Sequence, residues 1–184
     1  MHDHATPHPD PRSPLVVDTG QLPRRPGAMR TVERVAGAPE GLGSGLVQVP
    51  QGSELGLDLR LESVSEGVLV SGKVRGTAVG ECGRCLRAIR VELDVPVQEL
   101  YAYPDSTTGE TTDEDEVSRV QDDRIDLEPL VRDAVVLALP TTPLCRPDCP
   151  GLCPGCGSHW DDLPPDHRHE EQLDPRWAAL KKLL

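Results

Sequence analysis

The sequence predicts an α+β fold: an antiparallel β meander or small open barrel with one packed helix, then a cysteine-rich segment and a short C-terminal helix. Three patterns carry this prediction. Apolar and polar residues alternate with a period of two through much of 54–98, which is typical of half-buried strands. Residues 127–138 repeat with helical spacing instead. Four of the six cysteines fall within twelve residues, 145–156.

The composition limits what the core can be made of. The 184 residues are 36% hydrophobic and include no Phe, two Trp and two Tyr, so we expect a core of Leu, Val, Ile and Ala. The 19 prolines and 17 glycines indicate that much of the chain is loop or tail.

The sequence shows no export or membrane-insertion signal. No basic segment followed by an apolar run opens the chain, and the longest purely apolar run, Ala134–Leu139, is far too short to span a bilayer. We therefore expect a cytoplasmic protein without membrane contact. In a reducing compartment, six cysteines favour metal binding or redox chemistry over structural disulfides.

The chain divides into three predicted regions. Residues 1–14, with four prolines, are expected to form a disordered tail. Residues 15–139 form a β-rich core that includes an acidic loop at 104–124. Residues 140–184 form the cysteine-rich segment and the C-terminal helix.

Two short strands are predicted at the start of the core, at 15–18 and 31–35. The connecting loop and the second strand form one of the few basic stretches of the chain. A solvated loop and a contact with RNA phosphate or a protein partner are equally compatible with this pattern. The arginines concerned are Arg24, Arg25, Arg30 and Arg34.

Three sequential strands then predict the antiparallel meander. Leu55 to Leu61 alternate with polar residues, Val68 and its neighbours form a second strand after a turn, and 89–97 alternate again. Gly72 and Gly76 would permit bulges or strong bending of the middle strand.

Most of the negative charge lies in one stretch. Residues 99–128 carry eleven acids against two arginines, a net charge of −9, which leaves −3 of the total −12 for the rest of the chain. A solvated, mobile insert explains this stretch, and a functional alternative is that it mimics nucleic-acid charge or repels RNA from one face.

Two helices are predicted around the cysteines. Asp126 is a suitable N-cap, Pro129 is tolerated in the first turn, and Pro140 ends the first helix. Its apolar stripe comprises Leu127, Leu130, Val131, Ala134, Val135 and Ala138. A short second helix is expected from Asp174 to the end of the chain.

The cysteine pattern indicates a zinc-knuckle segment. Cys153-Pro-Gly-Cys156-Gly is a tight turn that directs two thiolates at one point, and Cys82-Gly-Arg-Cys85 is a second such pair. Zinc takes four ligands and eight candidates are present, so one or two structural zinc ions per chain are expected. The preferred sets are Cys153, Cys156, His167 and His169 for one site, and Cys82, Cys85, Cys145 and Cys149 for the other.

Other ligand assignments stay open at the level of sequence. A single all-thiolate site could combine the two Cys-x-x-Cys pairs, and His159 could replace either histidine. The pairs could also be redox-active, although a redox pair favours the N-terminus of a helix, which neither pair is predicted to occupy.

Nothing in the sequence indicates catalysis. A site closed by four protein ligands leaves no position for water, and no phosphate-binding loop, nucleophile elbow or zinc-protease helix is present. We therefore expect a non-enzymatic protein without a small-molecule substrate.

Four motifs together carry a resemblance to a known family. They are LPRRPG at 22–27, GECGRCL at 80–86, LPTTPLCRPDCPGLCPGCG at 139–157 and LDPRWAALKKLL at 173–184. The chain resembles the bacterial DUF177 (YceD-like) family, named for large ribosomal RNA subunit accumulation, as an actinobacterial-type member with a C-terminal cysteine cluster.

The resemblance implies a role in large-subunit rRNA accumulation or processing during ribosome assembly, with that rRNA or ribosomal proteins as partners. Related members carry Cys-x-Cys where this chain has His167-Arg-His169, and zinc tolerates that exchange. Other members lack the C-terminal cluster, which implies that the metal is structural reinforcement and not the common activity of the family.

If RNA is the partner, a local basic patch must contact it, because the total charge is acidic. Few aromatics are available for base stacking, so phosphate contacts or binding through a ribosomal protein are expected. The additional candidates beside the first Cys-x-x-Cys are Arg84, Arg87 and Arg90. The alternative is a zinc-containing protein-interaction module that does not bind RNA directly.

Overall fold

The computed structural model describes residues 8–107 and 117–169, in which β-structure dominates. Its strands are β1 Val16–Asp18, β2 Met29–Gly37, β3 Gly43–Ser44, β4 Val47–Gln48, β5 Glu54–Ser63, β6 Gly67–Glu81, β7 Ala88–Ala102 and β8 Arg124–Asp126. They are accompanied by helix α1, Glu128–Ala138, and a 3₁₀ turn at Trp160–Asp162. The described residues are therefore mostly β and not α+β as predicted, and the predicted C-terminal helix lies outside them.

The main sheet is the predicted antiparallel meander. Strands β2, β5, β6 and β7 are hydrogen-bonded in that order, and β7 follows β6 in unbroken register from Gly67↔Ala102 to Glu81↔Ala88. The β3–β4 hairpin extends the sheet beside the end of β6, where Val47 pairs with Gly80. The strands of residues 8–107 and 117–169 do not close into a barrel, so the predicted alternative of a small open barrel is not observed among them.

The predicted alternation places the core on one face of this sheet. Leu55, Leu57, Leu59 and Leu61 are each at most 2% exposed, and α1 packs against β7 with Val131 and Val135 buried. Burying a leucine side chain stabilises the fold by roughly 1.5–3 kcal/mol, so this row dominates the core.

Two tyrosines join the aliphatic core, which the composition did not predict. Tyr101 donates its hydroxyl hydrogen bond to the Asp126 carbonyl at 2.9 Å, and the Tyr103 and Ser63 hydroxyls are 3.1 Å apart. Both rings are buried. Burial is tolerated because each hydroxyl has a partner.

Gly72 lies in the middle of β6 without a bulge. The register runs continuously through it, from Leu59 on β5 to Val97 on β7. Its φ is +154°, and an added Cβ would overlap the Asp58 carbonyl. The glycine is needed for close approach of two strands, and the bulge that the sequence would permit here is not formed.

The N-terminal segment and the end of the acidic loop form a second, two-stranded sheet. β1 pairs with β8, and Val17 and Ile125 face each other in the core. Residues 108–116 of the predicted loop 104–124 lie outside the described part. The loop is already hydrogen-bonded to the core before β8, because Ala102 N–H donates to the Ser118 carbonyl and Val120 N–H to the Ala102 carbonyl.

Helix α1 begins close to the predicted cap. Its N-cap position is Leu127, but the Asp126 carboxylate accepts a hydrogen bond from Glu128 N–H at 2.9 Å. At the other end Ala138 is exposed and Leu139 is buried, which shifts the last apolar contact by one residue from the predicted stripe. Within the described ranges, every helix falls short of the length and hydrophobicity that crossing a bilayer requires.

Candidate metal centres

The turn at Cys153–Cys156 is closed by two backbone hydrogen bonds. Gly157 N–H donates to the Cys153 carbonyl at 2.8 Å, and Cys153 N–H donates to the Ser158 carbonyl at 2.8 Å. Gly157 has a φ of +73°, a left-handed conformation that glycine adopts without strain. The turn therefore folds back on itself and brings both cysteines to one side.

The turn at Cys82–Cys85 has the same hydrogen-bond pattern. Leu86 N–H donates to the Cys82 carbonyl at 2.9 Å, and Cys82 N–H donates to the Arg87 carbonyl at 2.9 Å. Leu86 occupies the position of Gly157 and has a φ of +61°, which is strained for a leucine. The same knuckle is thus formed twice, once without the usual glycine.

Four cysteines meet at the first knuckle, and we call them the four-cysteine centre: Cys82, Cys85, Cys145 and Cys149. All four sulfurs lie within 4.8 Å of one another. Cys82 Sγ is 3.7 Å from Cys149 Sγ, and Cys85 Sγ is 3.6 Å from Cys145 Sγ. Sulfurs about 2.3 Å from a tetrahedral zinc would be about 3.8 Å apart, whereas a disulfide requires about 2.05 Å.

Electrostatics in the four-cysteine centre favour a bound cation. Burial raises the pKa of Cys82, but backbone N–H groups of Arg84, Cys145 and Cys85 directed at its sulfur outweigh burial and lower that pKa to about 6. Hydrogen bonding to Cys149, together with burial, raises the pKa of Cys145 to about 12. The pKa values of these two neighbouring thiols are thus shifted in opposite directions, and a metal bound to both would hold both as thiolates.

Backbone contacts hold the two halves of this centre together. Gly83 N–H donates to the Pro143 carbonyl at 2.8 Å, and the Arg84 guanidinium donates to the Cys149 carbonyl at 2.9 Å. Gly151 has a φ of +83°, and an added Cβ would lie 3.0 Å from the Arg84 carbonyl oxygen. The segment after α1 is thus fitted closely against the first knuckle.

The second knuckle meets two histidines, and we call this group the mixed centre: Cys153, Cys156, His167 and His169. His167 Nε2 is 3.5 Å from Cys153 Sγ and 3.6 Å from Cys156 Sγ. A tetrahedral zinc would separate sulfur and nitrogen ligands by about 3.6 Å. The two imidazole Nε2 atoms are 2.9 Å apart, closer than the about 3.3 Å of an ideal site.

Neighbouring residues position the ligands of the mixed centre. The Trp160 ring meets the His167 ring edge-on, with centroids 5.7 Å apart and planes at 80°. An added Cβ at Gly155 would lie 2.8 Å from His169 Nε2, so glycine leaves room for that imidazole. Hydrogen bonds from the Ser158 side chain and backbone lower the pKa of Cys156 to about 6.

The donor sets fit zinc in both centres. Thiolate and imidazole ligands in fours suit a tetrahedral ion of intermediate softness, whereas magnesium and calcium require oxygen ligands. With four protein donors, either centre would be closed to substrate. Such a centre can join distant segments, but it offers no position for an activated water.

The geometry separates the alternatives that the sequence left open. The two Cys-x-x-Cys pairs lie in different groups, so the single all-thiolate site is not formed. His159 belongs to neither group and forms a β-bridge with Leu152. Its Nδ1 is buried and has no hydrogen-bond partner among the described residues.

Most arginines proposed for RNA contact are bound within the chain. The five engaged guanidiniums are those of Arg24 (to Asp123), Arg30 (to the Asp18 carbonyl), Arg34 (to the Pro14 and Val16 carbonyls), Arg84 (to the Cys149 carbonyl) and Arg87 (to Asp161 and Asp162). Arg25 and Arg90 are exposed, and within the described ranges their side chains have no hydrogen-bond or ion-pair partner.

An ion-pair cluster beside both centres was missed by the sequence reasoning. Arg146 contacts Asp161 and Asp148, and Arg87 contacts Asp161 and Asp162. The Arg146 guanidinium lowers the pKa of Asp161. The available signal was an arginine adjacent to a ligand cysteine, Cys145, together with two acids in the loop before His167.

Comparison with known families identifies relatives of the chain. The model of the family described as large ribosomal RNA subunit accumulation protein YceD matches residues 70–184, more than half of the chain. The match includes all eight residues of the two centres and begins after the 22–27 motif.

The similar proteins come from mycobacteria and Bacillus. An uncharacterized protein of Mycobacterium tuberculosis (strain ATCC 25618 / H37Rv) is 55% identical over 94% of this chain and 82% of its own length. An uncharacterized protein of Mycobacterium leprae (strain TN) is 45% identical over 94% of this chain and 78% of its own. YlbN of Bacillus subtilis (strain 168) is 28% identical over 69% of this chain and 70% of its own. No solved structure matches significantly.

Proposed function

The chain belongs to the large ribosomal RNA subunit accumulation protein YceD family, and on that premise we propose that it is a non-enzymatic factor supporting large-subunit rRNA accumulation or processing during ribosome assembly. The observation that carries this proposal is the family match across residues 70–184. The closed geometry of both cysteine groups supports a structural and not a catalytic use of the metal.

Zinc is the proposed occupant of both centres. The sulfur–sulfur and sulfur–nitrogen distances of 3.5–3.7 Å support tetrahedral coordination. A structural zinc site supplies roughly 10 kcal/mol or more of apparent binding free energy, which is folding free energy when the site does not exist in the unfolded chain. The metal would fasten the segment after α1 to the end of the main sheet.

The RNA contact is proposed at Arg25 and Arg90, the two candidate arginines whose side chains have no partner in the described part of the chain. The other five candidate guanidiniums would have to give up contacts within the chain to bind phosphate. Each phosphate contact contributes about one unit to the slope of log affinity against log salt, so few contacts imply a weak salt dependence. A modest affinity, reinforced by ribosomal proteins in precursor particles, fits the net charge of −12.

A depletion strain tests this function directly. We expect reduced large-subunit rRNA, an altered ratio of subunits, and co-sedimentation of the protein with large-subunit precursors. Replacing Arg25 and Arg90 with Glu should weaken that association, while Arg60→Gln should not, because Arg60 is engaged by Glu62 at 2.8 Å. Normal rRNA levels and subunit ratios after depletion would overturn the proposal.

A second candidate is a zinc-containing protein-interaction module without direct RNA binding. The engagement of five arginines within the chain and the acidic net charge favour it. Captured partners that persist after RNase treatment and include no ribosomal proteins would select this candidate over the first.

A further inference from the structure

The 3₁₀ turn Trp160–Asp162 contacts a ligand of the mixed centre and two arginines beside the four-cysteine centre. It lies in the loop between the cysteine and histidine ligands of the mixed centre. Its tryptophan faces one ligand of that centre, and its two aspartates face arginines that flank the four-cysteine centre.

The aspartates bind arginines next to the four-cysteine ligands. Arg146 directly follows Cys145, and its Nη2 bonds Asp161 Oδ1 at 2.5 Å. Arg87 lies two residues after Cys85 and reaches Asp161 at 3.4 Å and Asp162 at 3.1 Å. The Asp161 side chain is 29% exposed, so this pair is less screened by water than an ordinary surface pair.

The tryptophan side of the turn sets the position of a ligand in the mixed centre. The Trp160 ring packs edge-on against His167, whose Nε2 lies 3.5 Å and 3.6 Å from the two sulfurs of the second knuckle. The backbone N–H of Trp160 donates to the Gly151 carbonyl at 3.1 Å. This hydrogen bond holds the turn against the chain between the two centres. A shift of the turn would therefore shift the imidazole.

An apolar contact provides a second connection between the centres. Leu152 directly precedes the ligand Cys153, and it packs against the buried cluster of Cys82, Cys85 and Cys149. The same residue bridges to His159 at the start of the turn. Leu152 thus connects the four-cysteine centre to Cys153 on one side and to the start of the Trp160–Asp162 turn on the other.

We propose that the Trp160–Asp162 turn couples the two centres, so that a metal in the four-cysteine centre raises the affinity of the mixed centre for its own metal. The metal would hold the knuckle with Arg87 and the segment with Arg146 in one geometry, and the aspartates would then hold His167 in place. By linkage, metal in the mixed centre raises the affinity of the four-cysteine centre by the same factor. This proposal rests on zinc occupancy of both centres.

The expected coupling is moderate. Single exposed ion pairs contribute little, but networks and partly buried pairs contribute more. We expect removal of both aspartate charges to lower the zinc affinity of the mixed centre by roughly five- to tenfold, within the range of measured couplings between sites. High salt should reduce the difference, because the pairs are partly exposed.

The experiment uses the full chain carrying Trp177→Phe, which leaves Trp160 as the single tryptophan. Metal-free protein is titrated with zinc against a competing chelator. Trp160 fluorescence and the histidine ring NMR signals follow the mixed centre, and elemental analysis gives the total zinc. The test variant is Asp161→Asn with Asp162→Asn, and Asp166→Asn is the control, an exposed acid in the same loop without a described partner.

A second pair of variants separates coupling from a local structural effect. Cys145→Ser removes an exposed ligand of the four-cysteine centre. In that background the double aspartate change should no longer affect the affinity of the mixed centre, because there is no occupied neighbour to couple to. If the double aspartate change still lowers the affinity of the mixed centre five- to tenfold in that background, the aspartates have a local structural role and the coupling is overturned.

The remaining outcomes are also decisive. A five- to tenfold loss in the double variant, absent in the Asp166→Asn control, supports the proposal. Two zinc ions bound with unchanged affinity in the double variant overturn the coupling alone and leave the proposed function intact. A chain that binds no zinc at either centre overturns both the structural-zinc assignment and the coupling.

Discussion

The two candidate centres use the same knuckle for different purposes. The four-cysteine centre joins residues 60 and 67 positions apart in sequence, and three of its four ligands are buried. The mixed centre joins residues 11 and 14 positions apart, and two of its ligands are exposed. A cross-link between residues 60 positions apart lowers the entropy of the unfolded chain more than one between residues 14 positions apart. The difference in loop-closure free energy is roughly 1.3 kcal/mol.

This difference implies different roles in stability. The four-cysteine centre connects the main sheet to the segment that follows α1, so its loss affects contacts across the fold. The mixed centre organises one surface loop, so its loss should remain local. Burial also protects the first centre from chelators, whereas Cys156 and His169 are accessible in the second.

The largest effect is expected from removing two ligands of the four-cysteine centre. Cys82→Ser together with Cys149→Ser should lower the zinc content and reduce the free energy of unfolding by at least about 3 kcal/mol, because a long-range metal cross-link is lost. Elemental analysis and chemical denaturation measure the two quantities. An unchanged free energy of unfolding together with lost zinc would show that this centre does not act as a stabilising cross-link.

A smaller effect is expected from the corresponding change in the mixed centre. His167→Ala with His169→Ala should reduce zinc from two ions to one per chain, with a loss in unfolding free energy of no more than about 2 kcal/mol. The loss is small because ligands only 11 to 14 positions apart can also bind zinc in the unfolded chain, so little of the binding free energy becomes folding free energy. The cysteine double variant is the matched comparison. The comparison between centres fails if the histidine variant unfolds as readily as the cysteine variant.

The next prediction concerns space for a ligand. Gly155→Ala should displace the His169 imidazole and weaken zinc binding at the mixed centre by about tenfold, the lower end for residues that orient metal ligands. Gly83→Ala in the other knuckle is the control, because its Cβ would meet the Pro143 carbonyl at 3.5 Å, an ordinary contact. Chelator competition measures the zinc affinity of both variants. Equal losses in the two variants would contradict the expectation that Gly155 makes room for the His169 imidazole.

The smallest effect is expected at the left-handed position of the two knuckles. Leu86→Gly should stabilise the metal-loaded protein by up to about 1 kcal/mol, because glycine adopts the observed φ of +61° without strain and the leucine side chain is 55% exposed. Gly157→Ala should have the opposite sign at the equivalent position. Thermal denaturation compares them, and a destabilising Leu86→Gly would show that the exposed leucine has a role beyond the turn.

The regular parts of the fold were predictable because their signals are local. The period-two alternation in Leu55 to Leu61 is a direct consequence of strand geometry, and it predicted the meander. The helix boundaries were predictable to within a residue or two from Asp126 and Pro140. The buried Tyr101 and Tyr103 were not predictable from composition, since a tyrosine is buried only where the tertiary fold supplies a hydroxyl partner.

The candidate centres divide in the same way. The spacing of Cys153 and Cys156 predicts a turn that could hold a metal ion, because the two residues between them bring both sulfurs to one side. The metal itself, and the role of every ligand, stays a prediction until zinc is measured. The arginines show the opposite case: seven candidates looked equivalent in sequence, and only the fold separates five engaged guanidiniums from two that have no partner within residues 8–107 and 117–169.

The sequence by itself determined the building units of this protein: alternating strands, one amphipathic helix and two Cys-x-x-Cys turns. These follow from neighbouring residues, and neighbouring residues are what periodicity and spacing report. Only the tertiary structure decided which sulfurs of the predicted set face each other, Cys85 with Cys145 and Cys82 with Cys149, and that Asp161 reaches Arg87 and Arg146. Such contacts depend on the register of the sheet and on the path of the chain after α1, and no local pattern specifies either one.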